Sequence, residues 1–231
     1  MSSFNLMMFG VYPYIALAIC LIGSWARFDL SQYSWKAGSS QVFNRNAAEQ
    51  RYMRIASNLF HVGILTVFFG HLVGLFTPVW VLDALGVPYG LKQWMAVLIG
   101  GPAGLAALVG GTMLIHRRLT DPRIRATSTT LDILIMILIW LQLAIGLLTI
   151  TQSLQHMDGA EMIRFMEWSQ SVVTWNINAW VTVVDVHWLF KLHIFLGLII
   201  VVLRVFLIGV VAQLVAIAKV RDHLAGKAGK G

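Results

Sequence analysis

Three histidines carry the chemistry this sequence can do inside hydrocarbon. His61 and His71 stand ten residues apart within Ile55 to Pro78, a stretch of 24 residues without Asp, Glu, Lys or Arg, and His193 opens another long apolar run. An imidazole is costly at membrane depth unless it is hydrogen-bonded or coordinated to a metal. Ten residues advance a helix by roughly 15 Å and leave the two rings about 80° apart around its axis. Both can face the interior of a bundle, but they cannot grip one ion together, so they would serve two separate centres. Zinc is disfavoured because H-x-x-x-H and similar spacings are absent.

The elements that position these rings follow from composition. The chain is 58% hydrophobic and 12% charged, with a mean hydropathy of +0.76, and its apolar blocks exceed the roughly 18 residues needed to cross a bilayer. Five windows qualify: 9–26, 55–78, 93–115, 133–150 and 192–218. The expected fold is all-α, a single integral membrane bundle of five transmembrane helices spanning residues 1–231, since the connections are too short to bury cores of their own. A short surface helix is expected near 158–168, where Met162, Ile163, Phe165, Met166 and Trp168 mix with Glu161, Arg164 and Glu167. The Gly- and Lys-rich tail 224–231 is expected to fray.

Basic residues fix the expected orientation. Segment 27–54 carries Arg27, Lys36, Arg45, Arg51 and Arg54; segment 116–130 carries Arg117, Arg118, Arg123 and Arg125; the tail carries Lys219, Arg221, Lys227 and Lys230. The opposite segments, 79–92 and 151–187, carry Lys92 and Arg164. This asymmetry puts the N-terminus outside and the C-terminus in the cytoplasm. It also reads the net charge of +7 as a topology signal, so membrane lipids rather than nucleic acid are the expected partners. Some basic residues have a second reading, as a dock for an acidic cytoplasmic protein. The first helix lacks a basic n-region and a small-residue cleavage site and is read as retained. Cys20 lies within it as a buried, inert thiol. Tyr12, Tyr14 and Trp25 suit interfacial anchoring, and the glycines of the third helix suit close packing, with Pro102 bending its axis.

With this topology the second helix runs outward and the fifth inward, so His71 and His193 share a depth near the outer face while His61 lies toward the cytoplasm. Two neutral imidazoles facing each other from two helices are how a b-type haem is held for electron transfer. Gly70 and Gly74 beside His71, and Gly197 one turn beyond His193, offer backbone surface for a flat porphyrin. Hydrogen bonding between helices is the alternative for each ring alone; three rings at coherent depths favour haem.

At these residues the chain resembles the gamma subunit of membrane-bound respiratory nitrate reductase, a cytochrome b that oxidises quinol. The resemblance covers YPYIALAICLIGSWARFDLSQYSWKAGSSQ at 12–41, ASNLFHVGILTVFFGHLVGLFTP at 56–78, RRLTDPRIRATSTTLDILIMI at 117–137, QHMDGAEM at 155–162 and FKLHIFLG at 190–197. It implies two haems held by four histidines: an outer one on His71 and His193, and an inner one on His61 and a histidine about eighteen residues after His193. That last position is Val211, within LRVFLIGVVAQLVA at 203–216, which contains no His, Met or Cys. A substitute ligand (His116 by depth, or His223 if the chain turns back), a five-coordinate or absent haem, and a rearranged fifth helix all stay open. Arg204 either pairs with a haem propionate, snorkels or meets an Asp.

The resemblance further implies a quinol site at Lys92 near the outer haem, where an interfacial anchor is the alternative reading of that side chain, and Gly70 beside His71 would let the quinol head group approach closely. Electrons would pass to an iron-sulfur beta subunit and a molybdenum-containing catalytic alpha subunit in the cytoplasm, in anaerobic respiration at the bacterial or archaeal cytoplasmic (inner) membrane. The rivals are a haem-poor membrane anchor and the cytochrome b of another quinone-linked reductase.

Overall fold

A computed structural model describes residues 2–30, 46–155 and 157–205. Among these the chain is helical apart from short turns, without a strand. Four helices are long and apolar enough to cross a membrane, covering Ser3–Trp25, Ala47–Phe76, Tyr89–Thr120 and Thr130–Ser153, and a shorter apolar helix runs over Trp188–Leu203. Each of the first four windows read from the sequence therefore falls on a helix that overshoots it at one or both ends. The fifth begins at Trp188, four residues before its window, and its continuation past residue 205, with Val211, His223 and the tail, lies outside the described residues.

The helix ends follow local chemistry. The first helix starts with a short turn, α1 (Ser2–Asn5), and a π-helical stretch over Leu6–Val11, then continues as α2 (Tyr12–Leu30). In the π stretch the Tyr12 N–H donates to the Met7 carbonyl five residues back. Pro13 has no N–H to give the Phe9 carbonyl, and the Trp168 indole N–H donates to that oxygen instead, at 3.0 Å. Helix α3 (Ala47–Phe76) is capped by Asn46, whose Oδ1 accepts from the Glu49 N–H at 2.9 Å, and stops at Thr77, where Pro78 forces an extended backbone.

A one-turn α4 (Val79–Ala84) leads into α5 (Tyr89–Thr120). Helix α5 ends with Arg117 and Arg118 in its last turn, where their charge opposes the negative end of the helix dipole, and Pro122 follows in the short α6 (Pro122–Thr127). Helix α7 (Thr130–Ser153) opens on a reciprocal capping box between Thr129 and Asp132.

Helix α3 packs most extensively on α5, α5 on α7, α7 on α9 (Trp188–Val205), and α9 on α2; α3 and α9 are not closely packed on one another. The α3–α5 contact is tight because both helices present small residues. A Cβ on Gly63 would lie 2.5 Å from the Ala103 carbonyl oxygen, and one on Gly110 would lie 2.4 Å from the Phe60 nitrogen.

The expected surface helix is α8 (Ala160–Val173), longer than 158–168 and not merely lying on a surface. Met166 is fully buried, and Trp168 and Val172 join Phe9, Ala179, Val183 and Val186 in a core that closes one end of the bundle. The α8 side chains meet a 3₁₀ turn over Ile177–Val183 and the start of the first helix. Lys191, a basic residue at the head of α9, donates to the Val184 carbonyl at 2.6 Å.

Candidate functional site

The rings of His71 on α3 and His193 on α9 face each other with centroids 6.2 Å apart and planes tilted by 39°. Metal–imidazole bonds are about 2 Å, so two of them plus the two half-rings span roughly that separation. His71 turns one ring nitrogen, Nδ1, onto the Val67 carbonyl four residues earlier, at 2.8 Å. With the proton on Nδ1, its Nε2 keeps a free lone pair, the arrangement that metal-bound histidines use. His71 is exposed while His193 is half-buried, with Nδ1 buried and without a hydrogen-bond partner.

Space for a planar group lies on the His71 side. A Cβ on Gly70 or Gly74 would meet nothing within 4 Å. Gly197 behaves otherwise than the sequence suggested. A Cβ there would lie 3.1 Å from the Gln142 amide nitrogen, so this glycine makes room for a neighbouring helix rather than for a porphyrin.

Among the described residues no group of three or more His, Cys, Asp or Glu could hold a metal ion. Two imidazoles alone make a complete site only where a prosthetic group supplies the other ligands. The orphaned Nδ1 of His193, the ring spacing and the open glycine surface fit a haem between the two helices.

Lys92 stands just beyond this pair. Its Nζ donates to the Gly74 carbonyl, three residues past His71, at 2.9 Å, and to Met166 Sδ of α8 at 3.1 Å. The side chain is thus held over the α3 turn that carries His71, joining α5, α3 and α8. Gln170 of α8 fixes the same end of α3 by donating to the Leu75 and Thr77 carbonyls at 3.1 and 3.2 Å.

His61 has the same anchoring as His71, with Nδ1 2.7 Å from the Ser57 carbonyl oxygen and 3.2 Å from Ser57 Oγ. No facing histidine is brought to it among the described residues; its ring neighbour is Phe60, at 5.5 Å. His116 does not fill the place that depth alone suggested. It lines a cavity of about 470 Å³ with Ala48, Tyr52, Arg117 and Asp121, and the Tyr52 hydroxyl donates to the Met113 carbonyl. This registers His116 with residues nine or more before His61 on α3, about 13 Å along the helix.

Two contributors from α7 escaped the sequence reading. Gly146 lets the His193 ring lie against α7, since a Cβ there would be 2.8 Å from Cε1. Gln142 Nε2 donates to the His193 main-chain carbonyl at 3.0 Å. A carboxamide inside a charge-free span, with a glycine one turn later, was the available signal.

The model for the family described as nitrate reductase gamma subunit matches residues 5–215. The chain is 48% identical to the respiratory nitrate reductase 1 gamma chain of Escherichia coli (strain K12), over 86% of this chain and 85% of that one. It is 45% identical to the respiratory nitrate reductase 2 gamma chain of the same organism, over 84% and 83%, and 32% identical to the nitrate reductase gamma chain of Bacillus subtilis (strain 168), over 85% of each. With most of its length matched, and with helices able to span a membrane, this chain belongs to the nitrate reductase gamma subunit family.

Proposed function

We propose that this protein is the quinol-oxidising cytochrome b of a respiratory nitrate reductase, a five-span protein of the cytoplasmic membrane with an external N-terminus and a cytoplasmic C-terminus. The observation that carries the reading is the His71–His193 pair at 6.2 Å, with open glycine surface on one side and Lys92 over the next turn. His71 and His193 would hold one b-type haem near the outer face. When bound, haem supplies a one-electron carrier.

The chain's own residues bind and orient. Lys92 offers ammonium hydrogens to a quinol oxygen at the outer rim, and Gly70, without a side chain, lets the ring approach the His71 turn. Met166 and Gly74 hold the Lys92 side chain before quinol arrives, which reduces the ordering needed on binding. Quinol loses two protons to the outside as its two electrons move inward. That separation of charge stores roughly 2.3 kcal/mol per charge per 100 mV of membrane potential. The electrons leave to an iron-sulfur beta subunit and reach a molybdenum-containing alpha subunit, where nitrate is reduced; the basic residues of the cytoplasmic segments favour that docking.

His61 is the ligand this chain offers to a second haem nearer the cytoplasm. The pyridine haemochrome count on purified protein tests both positions. One haem per chain means that only the His71–His193 position is filled; two mean that His61 holds a haem as well, five-coordinate or with a ligand from outside the described residues; none means a haem-free anchor and ends the reading.

A further inference from the structure

We infer that Gln142 is a positioning residue for the His193 imidazole, acting as a carboxamide clamp between α7 and α9; the inference rests on the haem reading above. Gln142 and Gly146 stand one turn apart on α7, and His193 and Gly197 stand one turn apart on α9. The two pairs interlock. Gln142 Nε2 donates to the His193 main-chain carbonyl at 3.0 Å and lies 3.4 Å from its ring Nε2. A Cβ on Gly197 would come within 3.1 Å of that amide nitrogen, and one on Gly146 within 2.8 Å of His193 Cε1. Each glycine thus vacates the space that the polar side chain of the facing helix fills.

This arrangement is costly for packing alone. Gln142 Oε1 and His193 Nδ1 are both buried without a partner, and an apolar side chain of the same length would fill the interface without leaving a carboxamide oxygen orphaned. The cost is accounted for by direction. Bonded to the carbonyl of His193, the amide fixes the rotation of that turn of α9. The ring is then confined between the amide and the bare backbone at Gly146 and presented toward His71. The hold is on the turn and on the edge of the ring, so it acts on the angle at which the imidazole is offered and not through a bond from a ring N–H.

The test uses the full chain in membranes, with haem content, the low-spin EPR signal and a redox titration read together. The largest g value of a bis-imidazole iron follows the angle between its ring planes, so it reports orientation directly. Gln142→Met keeps the length and removes the hydrogen bond. It is expected to shift that g value and to change the oxidised-to-reduced ratio at fixed potential by roughly threefold or more, or to release the haem while the protein persists. Gly197→Ala crowds the amide without removing it and is expected to shift both readouts in the same sense by less; it carries the test alone if Gln142→Met is not recovered. Wild-type g value and potential at wild-type haem content in the recovered variants would overturn the clamp. A wild-type protein with no haem overturns the haem reading itself, which is a different result.

Discussion

His71 and His61 lie ten residues apart on one helix, and each turns Nδ1 back onto the carbonyl four residues earlier, at 2.8 and 2.7 Å. What opposes them differs. Across from His71 stand the ring of His193, Lys92 bonded to the Gly74 carbonyl, and a turn of α8. Across from His61 the described residues bring no second imidazole. Helix α3 therefore orients two imidazoles in the same way, and the facing helices decide which of them meets a second ring. Orientation is local, a matter of one helical turn, whereas pairing depends on which residue the facing helix brings across.

The largest effect that would break this contrast is at the complete site. His71→Ala or His193→Ala is expected to abolish the low-spin haem signal assigned to the pair and quinol-dependent electron transfer with it. His61→Ala is expected to leave that signal intact, as optical and EPR spectra of the same membranes would show. Lys92→Ala should lower quinol turnover roughly 10- to 100-fold, the range for losing one charge-assisted hydrogen bond, with the haem spectrum retained. Gly110→Ala drives a Cβ to 2.4 Å from the Phe60 nitrogen and should prise α5 from α3 at a cost of about 1–3 kcal/mol. A lowered thermal midpoint in detergent checks it. Trp168→Phe, which removes the bond to the Phe9 carbonyl that Pro13 leaves without a helical donor, should cost about 1 kcal/mol by the same measurement.

Much of this contrast was legible in the residues. Charge-free blocks gave the first four helices because only length and hydropathy decide them, and the register of His71 with His193 followed from counting turns. The ends were less legible. Helix α3 starts at Ala47, before its apolar block, because Asn46 and Glu49 cap a turn that hydropathy excludes. The mixed apolar and charged residues of α8 predict a helix lying on the surface. Its apolar face instead packs on Phe9, whose carbonyl is freed by a proline four residues on, and that long-range pairing leaves no local trace. Gln142 and Gly146 carry little signal in the sequence alone because their meaning lies in the interlock with His193 and Gly197. The position of Val211 lies outside the described residues, so the sequence alone speaks for it.

The most direct test is the low-temperature EPR spectrum and haemochrome count of wild type beside His71→Ala and His193→Ala, each in membranes with protein level matched. The expected result is a low-spin bis-imidazole haem in wild type that both single substitutions remove. Retention of that signal in both variants would contradict the pairing of these two rings across an iron.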